Sequence, residues 1–381
     1  MLENFNPYSS QNTSQNFSQT STSSTPPKEV NLEGKSYKCP SCGSYLLFRK
    51  GRLVCDYCNY QTPLHYHPHP VEYTPFVHYP VAEEKVNVKC PSCGATSPLP
   101  ERGIAMRCPY CKAPLLGEFF NPLKPPVIVP FSLSPQEAYQ KGVEFLKSGF
   151  FVYGSFKKEL QKYKEVTSYY YPMWLFNLNC YVQYRGERGE VEYEYIERSG
   201  KMERYEKVKW YPVEGALDLK FRNIGYIGYF NRRSDQIYLS RMQWNLAKSV
   251  QFQWEPLAGS EGYEYKIDNS TALKIVQGSL EGRIRNAIRR DIGGDRQRIW
   301  EYTKEWFDIQ NGYLLVPVFH FSVKWRGKEY NVYINGDTGE VTGQKPINKV
   351  LVFFVVLIVA ILIGVGIYYY NQYMGGNGGG W

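Results

Sequence analysis

The stretch CPSCGSYLLFRKGRLVCDYC, from Cys39 to Cys58, decides the fold of this chain, and CPSCGATSPLPERGIAMRCPYC, from Cys90 to Cys111, repeats its pattern. In each stretch, two C-x-x-C pairs are separated by a spacer of 12 or 14 residues. This spacing is typical of a four-cysteine zinc ribbon, in which two knuckles close one tetrahedral site. The sequence therefore predicts two zinc ions, held by Cys39, Cys42, Cys55 and Cys58 and by Cys90, Cys93, Cys108 and Cys111.

The residues beside the cysteine pairs agree with this interpretation. Gly43 and Gly94 follow two of the pairs, at a position where a knuckle needs a backbone that tolerates positive φ. Asn59 can adopt the same conformation, whereas Lys112 is less suited to it. Four thiolates leave no open coordination position, so we predict structural sites, and the doubled pattern disfavours the alternative of a redox C-x-x-C. Because metal binding and folding of such a ribbon are one process, we expect chelation to unfold the ribbons and to spare the rest of the chain.

The cysteine usage also bears on the compartment. Eight of the nine cysteines fall in C-x-x-C pairs, and Cys180 is left over. Residues 1–27 are polar and contain no apolar segment of the kind found in signal peptides. We therefore expect reduced, metal-binding thiols in the cytoplasm and not a secreted disulfide framework.

The net charge of +9 suggests a nucleic-acid or membrane-surface partner, but two filled zinc sites weaken that inference. A zinc ion held by four thiolates carries a net charge of −2, so the total would fall to about +5. This balance is mildly basic and is not a nucleic-acid signature.

Composition divides the N-terminal third into four segments. Residues 1–35 are rich in Ser, Thr, Gln and Asn and are predicted to be a disordered tail. The first ribbon covers 36–60 and the second 88–116. The Pro- and His-rich segment 61–87 between them is predicted to be a semi-rigid linker, and its four histidines are expected to be part of the spacer because each ribbon already has four ligands. These histidines are His65, His67, His69 and His78.

Residues 125–345 are predicted to form an α+β body with mainly antiparallel strands. Ser134-Pro135-Gln136-Glu137 has the residues of a capping box with proline at the first helical position. From 169 to 213 the chain has long β-like runs in which charged and aromatic residues alternate. Apolar residues at helical spacing predict a long helix between 270 and 292, ended by Gly293 and Gly294, and three strands joined by tight turns follow.

The run from Val350 to Tyr370 has 21 residues without a charge and would span about 30 Å as a helix, which matches the hydrocarbon core of a bilayer. We predict a transmembrane helix over 350–370 and a Gly-rich tail over 371–381. Lys345 and Lys349 precede the helix, and the tail carries no charged side chain. The positive-inside rule then predicts a single-pass cell-membrane protein with most of the chain in the cytoplasm and a short C-terminal tail outside.

The basic stretch Arg283–Arg298 is the best candidate for binding phosphate or lipid headgroups, through Arg283, Arg285, Arg289 and Arg290. Its alternative interpretation is the solvated face of an amphipathic helix.

Motifs of enzymes are missing from the sequence: there is no HExxH, no G-x-S-x-G and no complete phosphate-binding loop. His320 lies in an apolar strand, where a core histidine is expected. We therefore expect no catalytic residues.

The order of these parts resembles a family of bacterial zinc-ribbon membrane proteins, whose members are often labelled as similar to transcription-factor zinc ribbons or to a primosomal helicase protein. The paired CPSCG ribbons, VIVPFSLSPQEA, YYYPMWLFN and YNVYINGDTGEVTGQKP carry the resemblance, which covers most of the chain from Lys38 onward. Residues 213–270 match poorly. The resemblance implies the architecture and the zinc, and no reaction.

Two functions follow as the leading hypotheses; a third, an enzyme with an unrecognised site in the body, is disfavoured by the missing motifs. The favoured one is a non-enzymatic, membrane-anchored zinc-ribbon adaptor or scaffold that recognises a protein partner on the cytoplasmic face. The alternative is tethering of nucleic acid to the membrane through the ribbons and the basic stretch Arg283–Arg298.

Overall fold

The computed structural model describes residues 28–82, 84–149, 151–160, 165–198 and 201–375. Its strands are β1 (Lys28–Glu33), β2 (Leu47–Arg49), β3 (Arg52–Val54), β4 (Gln61–Pro63), β5 (Thr74–Pro75), β6 (Glu84–Lys89), β7 (Thr96–Pro98), β8 (Gly103–Arg107), β9 (Pro114–Leu116), β10 (Val127–Ile128), β11 (Thr167–Arg198), β12 (Lys201–Ile227), β13 (Val250–Gln251), β14 (Glu261–Tyr263), β15 (Arg296–Trp325), β16 (Lys328–Asn335) and β17 (Val341–Gly343). The helices are α1 (Pro135–Lys147), α2 (Gly154–Glu159), α3 (Arg233–Leu239), α4 (Asn269–Ser279), α5 (Glu281–Ile292) and α6 (Lys349–Gly375). The predicted α+β class with one C-terminal apolar helix is confirmed.

Three very long strands organise the body. β11 lies between β12 and β15, and both pairings are antiparallel, as the alternation of charged and aromatic residues predicts. The β11–β15 pairing runs from Thr167 to Gly189, and beyond it β11 and β12 continue alone to Arg198. We call this two-stranded extension, residues 190–198 and 201–209, the arm. Its exposed aromatic residues include Tyr193, Tyr195 and Tyr205.

β-bulges in β12 and β15 interrupt both pairings of β11 near its middle, well before the arm begins. The registers of β11 with β12 and with β15 shift at Asn177 and its neighbours. The side chain of Asn179 accepts a hydrogen bond from Arg222 at 2.8 Å and donates one to Asp308 at 3.1 Å. Side chains also satisfy backbone groups that the interrupted ladder would otherwise leave unpaired, because Arg222 donates to the Leu178 carbonyl and the Asn223 N–H donates to Asn177 Oδ1, both at 3.1 Å.

The single helix predicted over 270–292 is wrong in one respect, because the chain forms two helices that meet at Leu280. The Leu280 N–H is shared among the carbonyls of Val276, Gln277 and Gly278, which tightens the last turn of α4. Asp268 caps α4 through the Thr271 N–H, and Gly293 ends α5 with φ of 68°. The apolar face packs on β11, with Leu273, Val276, Ile284, Ile288 and Ile292 buried against Trp174 and Phe176.

The capping box of α1 is confirmed. The Ser134 hydroxyl accepts from the Glu137 N–H, and the Glu137 carboxylate accepts from the Ser134 N–H at 2.8 Å. The buried side of α1 packs on β15 and β16, where Ala138 and Leu146 join Phe321 and Ile334 in one cluster.

Two predictions about the N-terminal third need correction. Within the predicted tail 1–35, residues 28–33 form β1, which pairs in parallel with β6, and Leu32 packs against the cluster around Val88; residues 1–27 lie outside the described residues. The predicted linker 61–87 is extended but it is packed on the body. β5 pairs with β15, and the Tyr79 N–H donates to Asn269 Oδ1 at 2.9 Å.

In the described part of the chain, α6 is the helix that is long and apolar enough to cross a membrane, over Lys349–Tyr370. Its large apolar side chains are exposed along its whole length. The segment before it is fixed to the body, because the Asn348 N–H donates to the Phe151 carbonyl at 2.8 Å and Ile347 forms a β-bridge with Val152.

Candidate metal centres

The first cluster brings together the four predicted cysteines of ribbon 1. The Cys39 and Cys58 sulfurs are 3.5 Å apart, and those of Cys42 and Cys55 are 3.6 Å apart. All four sulfurs lie within 4.8 Å of one another. Ribbon 1 holds them with the small antiparallel sheet β2–β3–β4, whose turn at Lys50 and Gly51 has positive φ at both residues, as a tight hairpin requires.

The second cluster has the same geometry. The Cys90 and Cys111 sulfurs are 3.6 Å apart, and those of Cys93 and Cys108 are 3.8 Å apart. Four thiolates at about 2.3 Å from a tetrahedral zinc ion would be about 3.8 Å from one another. Both clusters therefore fit a metal ion of this kind, and each residue that the sequence predicts as a ligand contributes one sulfur to them.

All four knuckles share one backbone pattern. The residue after each pair donates its N–H to the first cysteine's carbonyl, at 2.9 Å in every case, and has φ between 60° and 74°. These residues are Gly43, Asn59, Gly94 and Lys112. Lys112, which the sequence made the least suited of the four, adopts the conformation nonetheless. Backbone N–H groups also point at the sulfurs; those of Cys58 and Tyr57 help lower the pKa of the Cys55 thiol to about 7, with the Cys58 N–H as the largest cause.

The ribbons are packed against the body and are not separate from it. In ribbon 1, the Phe48 N–H donates to the Ala258 carbonyl at 2.9 Å, and Lys50 pairs with Glu137 of α1 at 2.6 Å. Ribbon 2 is joined more closely, because its strand β8 pairs with β14, which in turn pairs with β11. The buried cysteine Cys108 directly follows β8. The second metal centre is thus continuous with the main sheet.

A buried carboxyl group fastens the end of ribbon 2 to the body. Glu264, which is 2% exposed, accepts hydrogen bonds from the Phe120 and Asn121 N–H groups at 3.0 and 2.9 Å. The Asn121 side chain donates to the Tyr265 carbonyl and accepts from the Ala82 N–H, both at 2.8 Å. These bonds join the linker, the end of ribbon 2 and the segment after β14.

The burial of Glu264 predicts a pH-dependent stability. Burial raises the pKa of this carboxyl group from 4.5 to about 7, although the Asn121 and Phe120 N–H groups act to lower it. Because the folded state then binds the proton more tightly than the unfolded state, the stabilising contribution is complete below pH 4.5 and is lost as the pH rises through about 7. We expect the wild type to lose about 2 kcal/mol of unfolding free energy relative to Glu264→Gln between about pH 5 and about pH 8.

Denaturant unfolding of the full-length protein in detergent, followed by tryptophan fluorescence, measures this difference. Glutamine keeps an oxygen that can accept both N–H bonds, so it removes the titration and preserves the contacts. Parallel pH profiles for the two proteins would contradict the assignment.

Two exposed tyrosines on the ribbons were missed by sequence reasoning. Tyr57 is 81% exposed and Tyr110 is 70% exposed. Each directly precedes the last cysteine of its cluster, in the equivalent stretches CDYC and CPYC. The shared position in the two repeats was the signal that could have found them.

The structure places the arginines of the basic stretch on two elements, β15 and α5. Arg296 and Arg298 lie on β15 and form ion pairs with Glu206 and Glu187. Arg283, Arg285, Arg289 and Arg290 lie exposed on α5. Among the described residues, none of these four has a carboxylate within 4.0 Å; Arg283 stacks on Phe221, Arg285 contacts Tyr302, and Arg289 and Arg290 bond to Asn286.

The histidines form no metal cluster in the part of the chain that the structure describes. His69 approaches Glu72, and His78 approaches Asp268, each at 3.8 Å. His320 is a buried core residue, as expected: its Nε2 is 2.9 Å from Asn331 Oδ1, and burial lowers its pKa to about 4.

Comparison with known proteins gives one relative of note. The chain is similar to YdjG, an uncharacterized protein of Bacillus subtilis (strain 168), with 24% identity over 324 residues. These residues are 82% of this chain and 91% of YdjG, so the similarity extends far beyond the cysteine motifs. No family model matches the chain. No solved structure matches it either.

Proposed function

We propose that this protein is a membrane-anchored, zinc-binding, non-enzymatic adaptor that recognises a protein partner on the cytoplasmic face. In this proposal it belongs to the bacterial zinc-ribbon membrane proteins that its sequence resembles. The two four-cysteine clusters and the apolar helix α6 support the proposal. A zinc ion in either cluster would be fully coordinated by thiolates, so it would shape a surface and would not bind a substrate.

The observation that carries the proposal is the pair of exposed tyrosines on the ribbons. Tyr57 and Tyr110 occupy equivalent positions beside two rigid metal knuckles. Tyrosine is enriched among the residues that contribute most to protein–protein binding, because it offers a large contact area and loses little conformational entropy. A repeated, rigid and exposed aromatic residue is therefore a suitable anchor for a protein partner.

Co-purification from gently solubilised membranes tests this function. Full-length tagged protein should retain its partner after nuclease treatment, and the double variant Tyr57→Ala/Tyr110→Ala should lose it by about tenfold or more, which corresponds to over 1.4 kcal/mol. The matched control is Tyr195→Ala/Tyr205→Ala, which removes two exposed tyrosines from the arm. Loss of the partner in the control alone, or upon nuclease treatment, would contradict the proposal.

The second candidate is tethering of nucleic acid, favoured by the four exposed arginines of α5 that have no carboxylate partner among the described residues. Affinity from phosphate contacts must fall steeply with salt. Because ribbon 2 shares the main sheet, nucleic-acid binding should be measured with the full chain and not with an isolated ribbon fragment. We expect only weak, non-specific binding at physiological salt; a salt-sensitive submicromolar complex, lost in Arg285→Gln/Arg289→Gln/Arg290→Gln, would support the tether instead.

A further inference from the structure

A cleft of about 650 Å³ lies on the body, away from the cysteine clusters. Its walls come from β11, β12, the end of α3 with the segment that follows it, and Arg283 of α5. Met173, Leu239 and Met242 lie beneath the cleft and are almost fully buried, and the apolar wall that remains accessible is formed by the half-buried side chains of Ile224, Trp244 and Leu246. Its size is in the range of sites that bind small molecules.

The β-bulge in β12 gives this cleft its shape. At the bulge, Asn223 adopts φ of 55° and lines the cleft, and its side chain accepts a hydrogen bond from Tyr73 at 2.5 Å. Gly225 follows and also lines the cleft. A Cβ at this glycine would lie 3.2 Å from the Met173 sulfur, so a larger residue here would crowd Met173.

The charged side chains that line the cleft are all positive. Arg241 and Arg283 line it, and no lining residue is acidic. The guanidinium of Arg283 is held 4.9 Å above the Phe221 ring, and neither arginine has a carboxylate within 4.0 Å among the described residues. Glu340 accepts from the Gln243 backbone N–H at 3.0 Å and does not line the cleft.

We propose that this cleft binds an anionic amphiphile, a molecule with one acyl chain and a terminal carboxylate or phosphate. The apolar wall would take the chain, and the two arginines would bind the anionic group. Arginine suits this role because its planar guanidinium pairs with carboxylate or phosphate through two parallel hydrogen bonds. The site uses none of the residues that carry the adaptor proposal, so either can fail without the other.

Photo-crosslinking of the full-length protein in nanodiscs of zwitterionic lipid tests the site. The probe is palmitate with a diazirine in its chain, and mass spectrometry locates the label. We expect labelling within residues 239–246, displaced by unlabelled palmitate or by lysophosphatidic acid. The anion that displaces the probe at the lower concentration identifies carboxylate or phosphate as the preferred group.

Arg241→Gln/Arg283→Gln should reduce labelling of 239–246 by about tenfold or more, because the anionic group then loses both of its charged partners. The matched control Arg233→Gln/Arg289→Gln removes one arginine from α3 and one from α5 outside the cleft, and it should label like the wild type. In the wild type, the neutral analogue hexadecanol should compete at least about tenfold more weakly than palmitate. Equal competition by hexadecanol, or labelling that the cleft variant leaves unchanged, would overturn the proposal.

Discussion

Cys108→Ser is expected to remove one of two zinc ions per chain and to unfold ribbon 2 together with the sheet edge that it completes. Cys108 is fully buried and directly follows β8, and β8 supplies the partner of β14. Zinc binding to a structural site contributes about 10–16 kcal/mol, and this energy also folds the ribbon. Metal analysis should give one zinc ion, and hydrogen exchange should show faster exchange in β8 and β14.

The same substitution in ribbon 1 provides the comparison. Cys55→Ser should also lose one zinc ion, but β2, β3 and β4 form their own sheet, so protection in β14 should remain. Cys180→Ser, which changes a buried cysteine outside both clusters, should keep two zinc ions. Two ions retained in Cys108→Ser, or iron in place of zinc, would rule out the ribbon assignment. The expectation that chelation spares the body therefore stays a prediction for ribbon 1, and for ribbon 2 it is revised.

Truncation after Asn348 is expected to move the protein completely from the membrane to the soluble fraction. The span Lys349–Tyr370 would be about 33 Å long as a helix, enough to cross the hydrocarbon core. Carbonate extraction of membranes should leave the full-length chain in the pellet and the truncated chain in the supernatant. A matched variant, Val359→Arg/Leu362→Arg, places two charges near the middle of α6, where each costs about 2.5–3.5 kcal/mol, and should weaken insertion.

Reporter fusions test the orientation separately. A reporter after Trp381 should be active only outside the cytoplasm, and one at the N-terminus only inside. The opposite pattern would expose the eight clustered cysteines to an oxidising compartment and would contradict both the topology and the zinc proposal.

Local chemistry made much of the structure predictable. The C-x-x-C spacing, the capping box at Ser134 and the stop at Gly293 each depend on a few adjacent residues with strong conformational preferences. The alternation of polar and apolar side chains predicted that β11 and β12 are antiparallel strands.

The rest depends on contacts between residues far apart in the chain, which spacing alone does not reveal. The parallel pairing of β1 with β6, the packing of the linker on the body and the junction of β8 with β14 all join segments about 50 to 230 residues apart. The break at Leu280 was hidden because both helices keep one apolar face across it. The cleft was not foreseen because its walls come from four separate segments.

The firm junction between the body and α6 has a mechanical consequence. Trp325, at one end of the long strands, packs on Tyr153 and Phe156, beside the bridge from Val152 to Ile347 at the start of α6. The arm lies at the opposite end of the same strands, and a strand of 32 residues has a contour length of about 100 Å. Because contacts at the base of the strands fix the start of α6 to the body, a force on the arm would be transmitted along the strands to the helix.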